Sequence, residues 1–348
     1  MKRTAALLGA VLAGVLLAAR GSAAPADTPA PGPAVSVPVD PALPDFQPGP
    51  AVSGRVSGVT GMDTLSAMMR AWNEAFQRYH PGAEFTLESR DPLGPEERIG
   101  LGPNTAEVFH PTDQEYEDTY GYETFRIRIC MGAFVLKSHV SAIGVFVNRA
   151  NPVSVLSLAQ LDAIFGAERR RGYPADLTTW GQLGLTGEWA DRPIHVYGFY
   201  WRDDVTAYFR KLVMFDAPFR SGYMVPGGGM GRHTPQVAKD LMAALAADPD
   251  GIGFANFYYQ SGPVKALALA DREGVVAQPV LGDIASGRYP LQRYLYIYVN
   301  RPPGRPLDPL VKEFLTFVLS RQGQALVARD HYLPLTAAAA AEERAKLQ

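Results

Sequence analysis

The 348-residue sequence predicts an α/β fold, and three observations carry that expectation. Short apolar runs alternate with longer amphipathic segments through the body of the chain, the order expected when helices cover a sheet. The runs at residues 142–148 (AIGVFVN), 193–199 (PIHVYGF), 251–257 (GIGFANF) and 293–300 (RYLYIYVN) are short and mostly apolar between polar turns, as parallel strands covered on both faces should be. The amphipathic segments carry their own start and stop residues.

Each helix is justified locally. Residues 62–79 (MDTLSAMMRAWNEAFQRY) place Leu65, Met68, Met69, Trp72, Phe76 and Tyr79 on one stripe. Residues 157–166 (SLAQLDAIFG) read as a capping box, Ser157 with Gln160, ending at Gly166. Residues 234–246 open with Thr234 as cap and Pro235 at the first helical position, and residues 308–319 repeat this with Asp308 and Pro309. Residues 204–214 (DVTAYFRKLVM) put Val205, Tyr208, Phe209, Leu212 and Val213 on one face. This last helix follows the strand at 193–199 through a short loop, and it opens with two aspartates, Asp203 and Asp204. A strand–loop–helix turn aims backbone N–H groups at an anion, so acidic residues there need a reason. Asp203 has the chemistry of an N-cap, accepting the N–H two or three residues on.

Bulk properties narrow the function classes. The composition is 47% hydrophobic and 20% charged, with a formal net charge of −2 and a pI of about 6.3. That balance gives no support for a nucleic-acid partner, and the length suffices for two domains. Lys2 and Arg3 precede an apolar run from Ala5 to Ala19 and then small residues, the pattern of a signal peptide over residues 1–23 cleaved after Ala23. The run is short for a membrane span. Within LLAARGS, Arg20 stands where a lipidated cysteine would sit in a bacterial lipoprotein box, so no lipid anchor is expected and the mature protein is read as soluble and periplasmic. Residues 24–53 are dense in proline and read as an extended linker. Cys130 is the only cysteine, which leaves no internal disulfide, and its apolar surroundings read as core.

Enzymatic chemistry finds no constellation. There is no Gly-x-Ser-x-Gly elbow, Walker loop or His-Glu-x-x-His, and the histidines at 80, 110, 139, 195, 233 and 331 are scattered without ligand spacing. The glycine-rich stretch at 226–231 reads as a loop. No catalytic residue, metal or cofactor is expected. What remains is a binder using helix N-termini, with candidate loops at residues 57–66 (SGVTGMDTLS) and 199–206 (FYWRDDVT).

Residues 61–85, the block from Val145 through Gly172, residues 179–189, 247–257 and 289–327 resemble the phosphate-type substrate-binding proteins of ABC transporters, most specifically in NPVSVLSLAQLDAIFG and the later LSRQGQ. The resemblance covers roughly residues 54 to 335. It implies a two-lobed type II periplasmic binding fold, each lobe a mostly parallel sheet flanked by helices. Lobe I would be discontinuous, residues 54–135 and 285–340, with lobe II at 136–284. It further implies a monomer that binds phosphate or a related small oxyanion between its lobes and delivers it to an inner-membrane permease. Matching the family's loops residue by residue gives Asp63 and Thr64 in the first loop, Ser89 in the second, and His110 and Thr112 in a third. In the second lobe it gives Arg202, Asp204 and Thr206, where the family's Arg-x-x-Ser-Gly-Thr has lost its Ser-Gly pair. The alternative expectation is the same scaffold with a rebuilt pocket for another ligand, or serving as a periplasmic interaction module.

Overall fold

The computed structural model describes residues 37–348 except 61–62, 90–97, 102–124, 133–141, 201–202, 229–234, 300 and 331. In chain order a first set of elements comprises β1 (Gly54–Thr60), α1 (Asp63–Phe76), β2 (Ala83–Ser89), β3 (Arg98–Leu101) and β4 (Phe125–Met131). A second set follows with β5 (Ile143–Asn148), β6 (Val155–Ser157), α2 (Leu158–Phe165), β7 (His195–Tyr197), α3 (Asp204–Met214), α4 (Pro235–Ala247) and β8 (Gly251–Asn256). It ends with β9 (Val264–Ala266), β10 (Ala268–Ala270), β11 (Val276–Ala277) and α5 (Leu281–Ala285). The chain then returns as β12 (Tyr294–Val299), α6 (Pro309–Val318), α7 (Arg321–Arg329) and α8 (Ala337–Ala345).

The fold is α/β and two-lobed, each lobe with its own core. One core gathers Leu65, Met68, Trp72 and Phe76 of α1 with Ile127 and Ile129 of β4, Leu295 and Ile297 of β12, and Phe314 and Phe317 of α6. The other gathers Val145 and Phe146 of β5, Ile164 and Phe165 of α2, Val205 and Phe209 of α3, Leu241 and Leu245 of α4, and Ile252 and Phe254 of β8. The sheets are mixed rather than mostly parallel. In the first lobe, ordered β2-β1-β3-β12-β4, β1 runs parallel to β2 but antiparallel to β3, and β12 parallel to β3 but antiparallel to β4. In the second, ordered β7-β8-β5-β9, only the β7–β8 pair is parallel. Every residue of β5 and β8 is buried, so the apolar runs reported helix cover on both faces and not strand direction.

Local signals hold where they are purely local. Gln160 N donates to Ser157 Oγ at 3.1 Å while Ser157 N donates to Gln160 Oε1 at 2.8 Å, completing the capping box. Asp308 Oδ1 accepts from Leu310 N at 2.8 Å, with Pro309 opening α6. The cap expected at Thr234 lies outside the described residues. Helix α1 ends at Phe76, three residues before Tyr79, whose ring lies in the following turn and meets Phe46 at 5.1 Å. The later part of the proline-rich segment is a strap and not a spacer. Leu43 and Phe46 are buried in the first core, Asp40 Oδ2 accepts from Ala337 N at 2.8 Å, and Arg321 pairs with Asp45 at 2.5 Å. Proline suits such a strap because an extended segment outside any sheet needs no ladder donor.

Strand register sets which ends of the two sheets face each other. Two chain segments cross between the lobes, one from β4 to β5 and one from α5 to β12, and they are bonded to one another: Gly132 N donates to Arg293 O at 2.8 Å and Ile143 N to Leu291 O at 3.0 Å. The crossing end of the first sheet is therefore marked by Met131 and Tyr294, paired across β4 and β12. Following the register outward, β1 ends at Thr60, beside Ile99, toward that same end. In the second sheet Ile143 pairs with Asn256 at the end of β8, and β7 runs parallel to β8. The loops that follow β1 and β7 thus leave the edges of both sheets that lie nearest the crossings.

Candidate functional site

The site is built on the second of these loops. β7 is short, and the chain leaves it through Gly198, whose N donates to Met224 O at 3.0 Å while Met224 N donates to Val196 O at 2.9 Å. Tyr223, beside Met224, reaches over the loop and its hydroxyl donates to Phe199 O at 2.8 Å. Residue 198 has to be glycine for this to happen, since a Cβ there would fall on the Tyr223 hydroxyl. Phe219 stacks on the Tyr223 ring at 4.2 Å, and burial pushes the phenol pKa well up, so it stays neutral.

Asp203 closes the loop. Its N donates to Tyr200 O at 2.9 Å, and its backbone is extended (φ −67°, ψ 140°). Its Oδ1 accepts from Val205 N at 2.9 Å and Thr206 N at 3.4 Å. The first aspartate is thus the N-cap of α3, and it engages two of the N–H groups that an incoming anion would use. The side chain is only 3% exposed. Thr206, in the first turn of the helix, is fully buried, with its hydroxyl beside the Tyr223 phenol. Helix α3 is held firmly behind this end. Val205, Phe209 and Val213 are buried, and Phe209 stacks on Phe254 at 3.9 Å. At its other end Arg171 Nε donates to Val213 O at 2.6 Å, a cation on the last-turn carbonyls.

The opposite edge belongs to the first lobe. Thr60, fully buried, ends β1 and pairs in register with Ser89, the last residue of β2. Asp63 and Thr64 open α1 just beyond. The fold therefore brings Asp63, Thr64 and Ser89 to one sheet edge, and places Asp204 and Thr206 in the first turn of α3 on the other lobe. His110, Thr112 and Arg202 lie outside the described residues. Tyr223 was not legible in the sequence as part of this site. It stands far from the α3 loop along the chain, and only the bridge between Tyr197 and Met224 brings it there.

A second polar cluster sits at the far end of the second sheet, where β7 and β8 begin. His195 Nδ1 lies 2.8 Å from Asp248 Oδ2, which also accepts from the Tyr197 hydroxyl at 2.8 Å. Arg192, on the Trp189 ring at 4.1 Å, pairs with Asp250 at 2.6 Å. Burial opposes the Asp248 charge, but the bonds from His195, Tyr197 and Asp250 N outweigh it and hold the pKa below the usual carboxylate value. Burial and the same Asp248 bond push the Tyr197 phenol up to about 12. Donor atoms of His195, Asp248 and Asp250 lie within 4.8 Å of one another, a spacing open to a cation, yet each already faces an internal partner. The cluster fastens the turn after α4 to β7.

Comparison with known proteins gives concordant results. Residues 47–322 match the model of the PBP superfamily domain. The chain is 34% identical over 305 residues to the phosphate-binding protein PstS of Pseudomonas aeruginosa, a match covering 86% of this chain and 88% of that one. It is 27% identical over 202 residues to the protein SphX of Synechococcus elongatus, covering 57% of this chain and 55% of that one. The crystal structure of PstS from Borrelia burgdorferi superposes with a TM-score of 0.50 at 14% identity, over 82% of this chain and all of that one.

Proposed function

This chain belongs to the PBP superfamily, and we propose that it binds phosphate or a related small oxyanion between its lobes and hands it to an ABC-type permease. The observation that carries this reading is the fully buried Thr206 hydroxyl, beside the Tyr223 phenol at the N-terminal end of a rigid helix near the lobe crossings. A buried hydroxyl is costly until a ligand completes its hydrogen bonds, and the helix dipole adds attraction for negative charge. The name and extensive identity of the Pseudomonas relative support the same ligand class. In this reading Asp63, Thr64, Ser89, His110 and Thr112 contact the ligand from the first lobe, and Arg202, Asp204 and Thr206 from the second.

The aspartates select among oxyanions. Two like charges about 4 Å apart cost on the order of 4 kcal/mol at an effective dielectric near 20. A carboxylate beside the ligand therefore favours an anion that still carries a proton, because that proton converts repulsion into a hydrogen bond. Phosphate keeps one near neutral pH and sulfate does not. The test is thermal unfolding of the purified protein with each anion in turn. Phosphate at 100 times its Kd is expected to add about 2.7 kcal/mol to stability, and equimolar sulfate much less. Equal stabilisation by both would remove the role given to the aspartates, and stabilisation by neither would remove the oxyanion.

Export belongs to the same reading. Residues 1–23 act as a cleaved signal peptide, Arg20 precludes lipid attachment at that position, and the mature protein works in the periplasm as a monomer. Among the described residues no helix is long and apolar enough to cross a membrane.

A further inference from the structure

Helix α3 reaches the lobe crossing through Tyr208, and we propose that this is a positioning residue that couples the anion-binding end of α3 to the relative placement of the lobes. The inference rests on the oxyanion reading above for its ligand, and on geometry alone for the coupling. Tyr208 lies just past Thr206 on α3, and its hydroxyl donates to Gln292 O at 2.8 Å. That carbonyl sits between two others that bind the crossings together, Leu291 O to Ile143 N at 3.0 Å and Arg293 O to Gly132 N at 2.8 Å. Tyr208 therefore grips the centre of the segment whose backbone must turn when one lobe rotates against the other.

The grip has a second component. The Arg293 guanidinium lies over the Tyr208 ring, 4.9 Å from its centroid, and Arg293 is only 1% exposed. A buried arginine against an aromatic face holds the ring plane, while the hydroxyl bond holds the ring edge. Both contacts come from consecutive residues of the crossing, so Tyr208 is fixed to that segment and not merely to lobe surface. On the other side, α3 is rigid: Val205 and Phe209 are buried and Asp203 caps it. Hinges absorb rotation in a few backbone dihedrals. Reorienting the Gln292 carbonyl must either break the Tyr208 bond or move α3, and with α3 move Val205 N, Thr206 N and the Thr206 hydroxyl. An anion held at that end of α3 thereby biases the crossing.

The experiment uses Tyr208→Phe, which keeps the ring over Arg293 and removes only the hydroxyl. Dyes are placed through Glu74→Cys in the first lobe and Glu273→Cys in the second, both exposed, while Cys130 is fully buried and stays unlabelled. In the absence of ligand, Tyr208→Phe is expected to broaden the distribution of lobe-to-lobe distances. Its Kd for inorganic phosphate, by calorimetry, is expected to weaken about fivefold, the loss of one neutral hydrogen bond. A variant whose distance distribution and Kd both match the parent overturns the proposal, and so does a fall in Tm with those two readouts unchanged. Should the parent itself not respond to phosphate, the oxyanion reading falls, and the ligand-free distance distribution alone then decides the coupling.

Discussion

Asp203, which is buried, and Asp248, which is half-buried, are both carboxylates that accept backbone N–H groups, yet they do different work. Asp203 caps α3 at the candidate site, whereas Asp248 joins His195, Tyr197 and Asp250 N in a network remote from it. The Asp248 pKa lies below the usual carboxylate value, so its stabilising contribution has a defined pH dependence. A group whose folded pKa is depressed contributes fully above its unfolded value of about 3.9, and the contribution fades as pH falls through the lower folded value. Asp248→Asn is expected to cost roughly 1–2 kcal/mol at pH 7 by urea unfolding, and the gap from the parent is expected to narrow below about pH 4. A gap of constant size from pH 7 to pH 3 would show that the charge contributes nothing. At this scale the sequence was legible where partners are neighbours in the chain. An aspartate between a strand and a helix announces an N-cap, but nothing near His195 announces Asp248, and the scattered histidines gave no hint of that pairing.

Elements show the same division between near and far. The capping box at Ser157 and the apolar stripes of α1 and α3 depend on residues within two turns, and they were readable. Strand direction was not, because a fully buried strand is apolar whether its neighbour runs with it or against it. The strap at residues 40–46 was hidden by its prolines, which mark extended chain but not what that chain packs on. The loop before α3 depends on one glycine and one distant tyrosine, which makes a sharp prediction. Gly198→Ala forces the Tyr223 ring out of its bond to Phe199 O, an overpacking expected to cost about 1–3 kcal/mol. Because Tyr223 also borders Thr206, phosphate affinity is expected to fall with stability. Gly198→Ala with unchanged Tm and unchanged affinity would mean that Tyr223 does not shape the loop.

Across the whole molecule, the two cores and the two bonded crossings make a frame in which the loops after β1 and β7 leave the sheet edges nearest the crossings, the place proposed for the ligand. The family resemblance conveyed that frame because it rests on blocks spread over most of the body. The pocket was less legible, since Asp63, Thr64 and Ser89 are all that match in the first two loops, the Ser-Gly pair before Thr206 is lost, and His110, Thr112 and Arg202 lie outside the described residues. Thr206 is the residue where the family match, full burial and a helix N-terminus coincide. Titration calorimetry of inorganic phosphate into the purified protein and into Thr206→Val tests this most directly. A Kd in the micromolar range or tighter is expected for the parent, about −8 kcal/mol or more favourable. Binding at least about tenfold weaker is expected for Thr206→Val, with a cooperative unfolding transition retained. No heat with the parent, or equally tight binding by Thr206→Val, would contradict it.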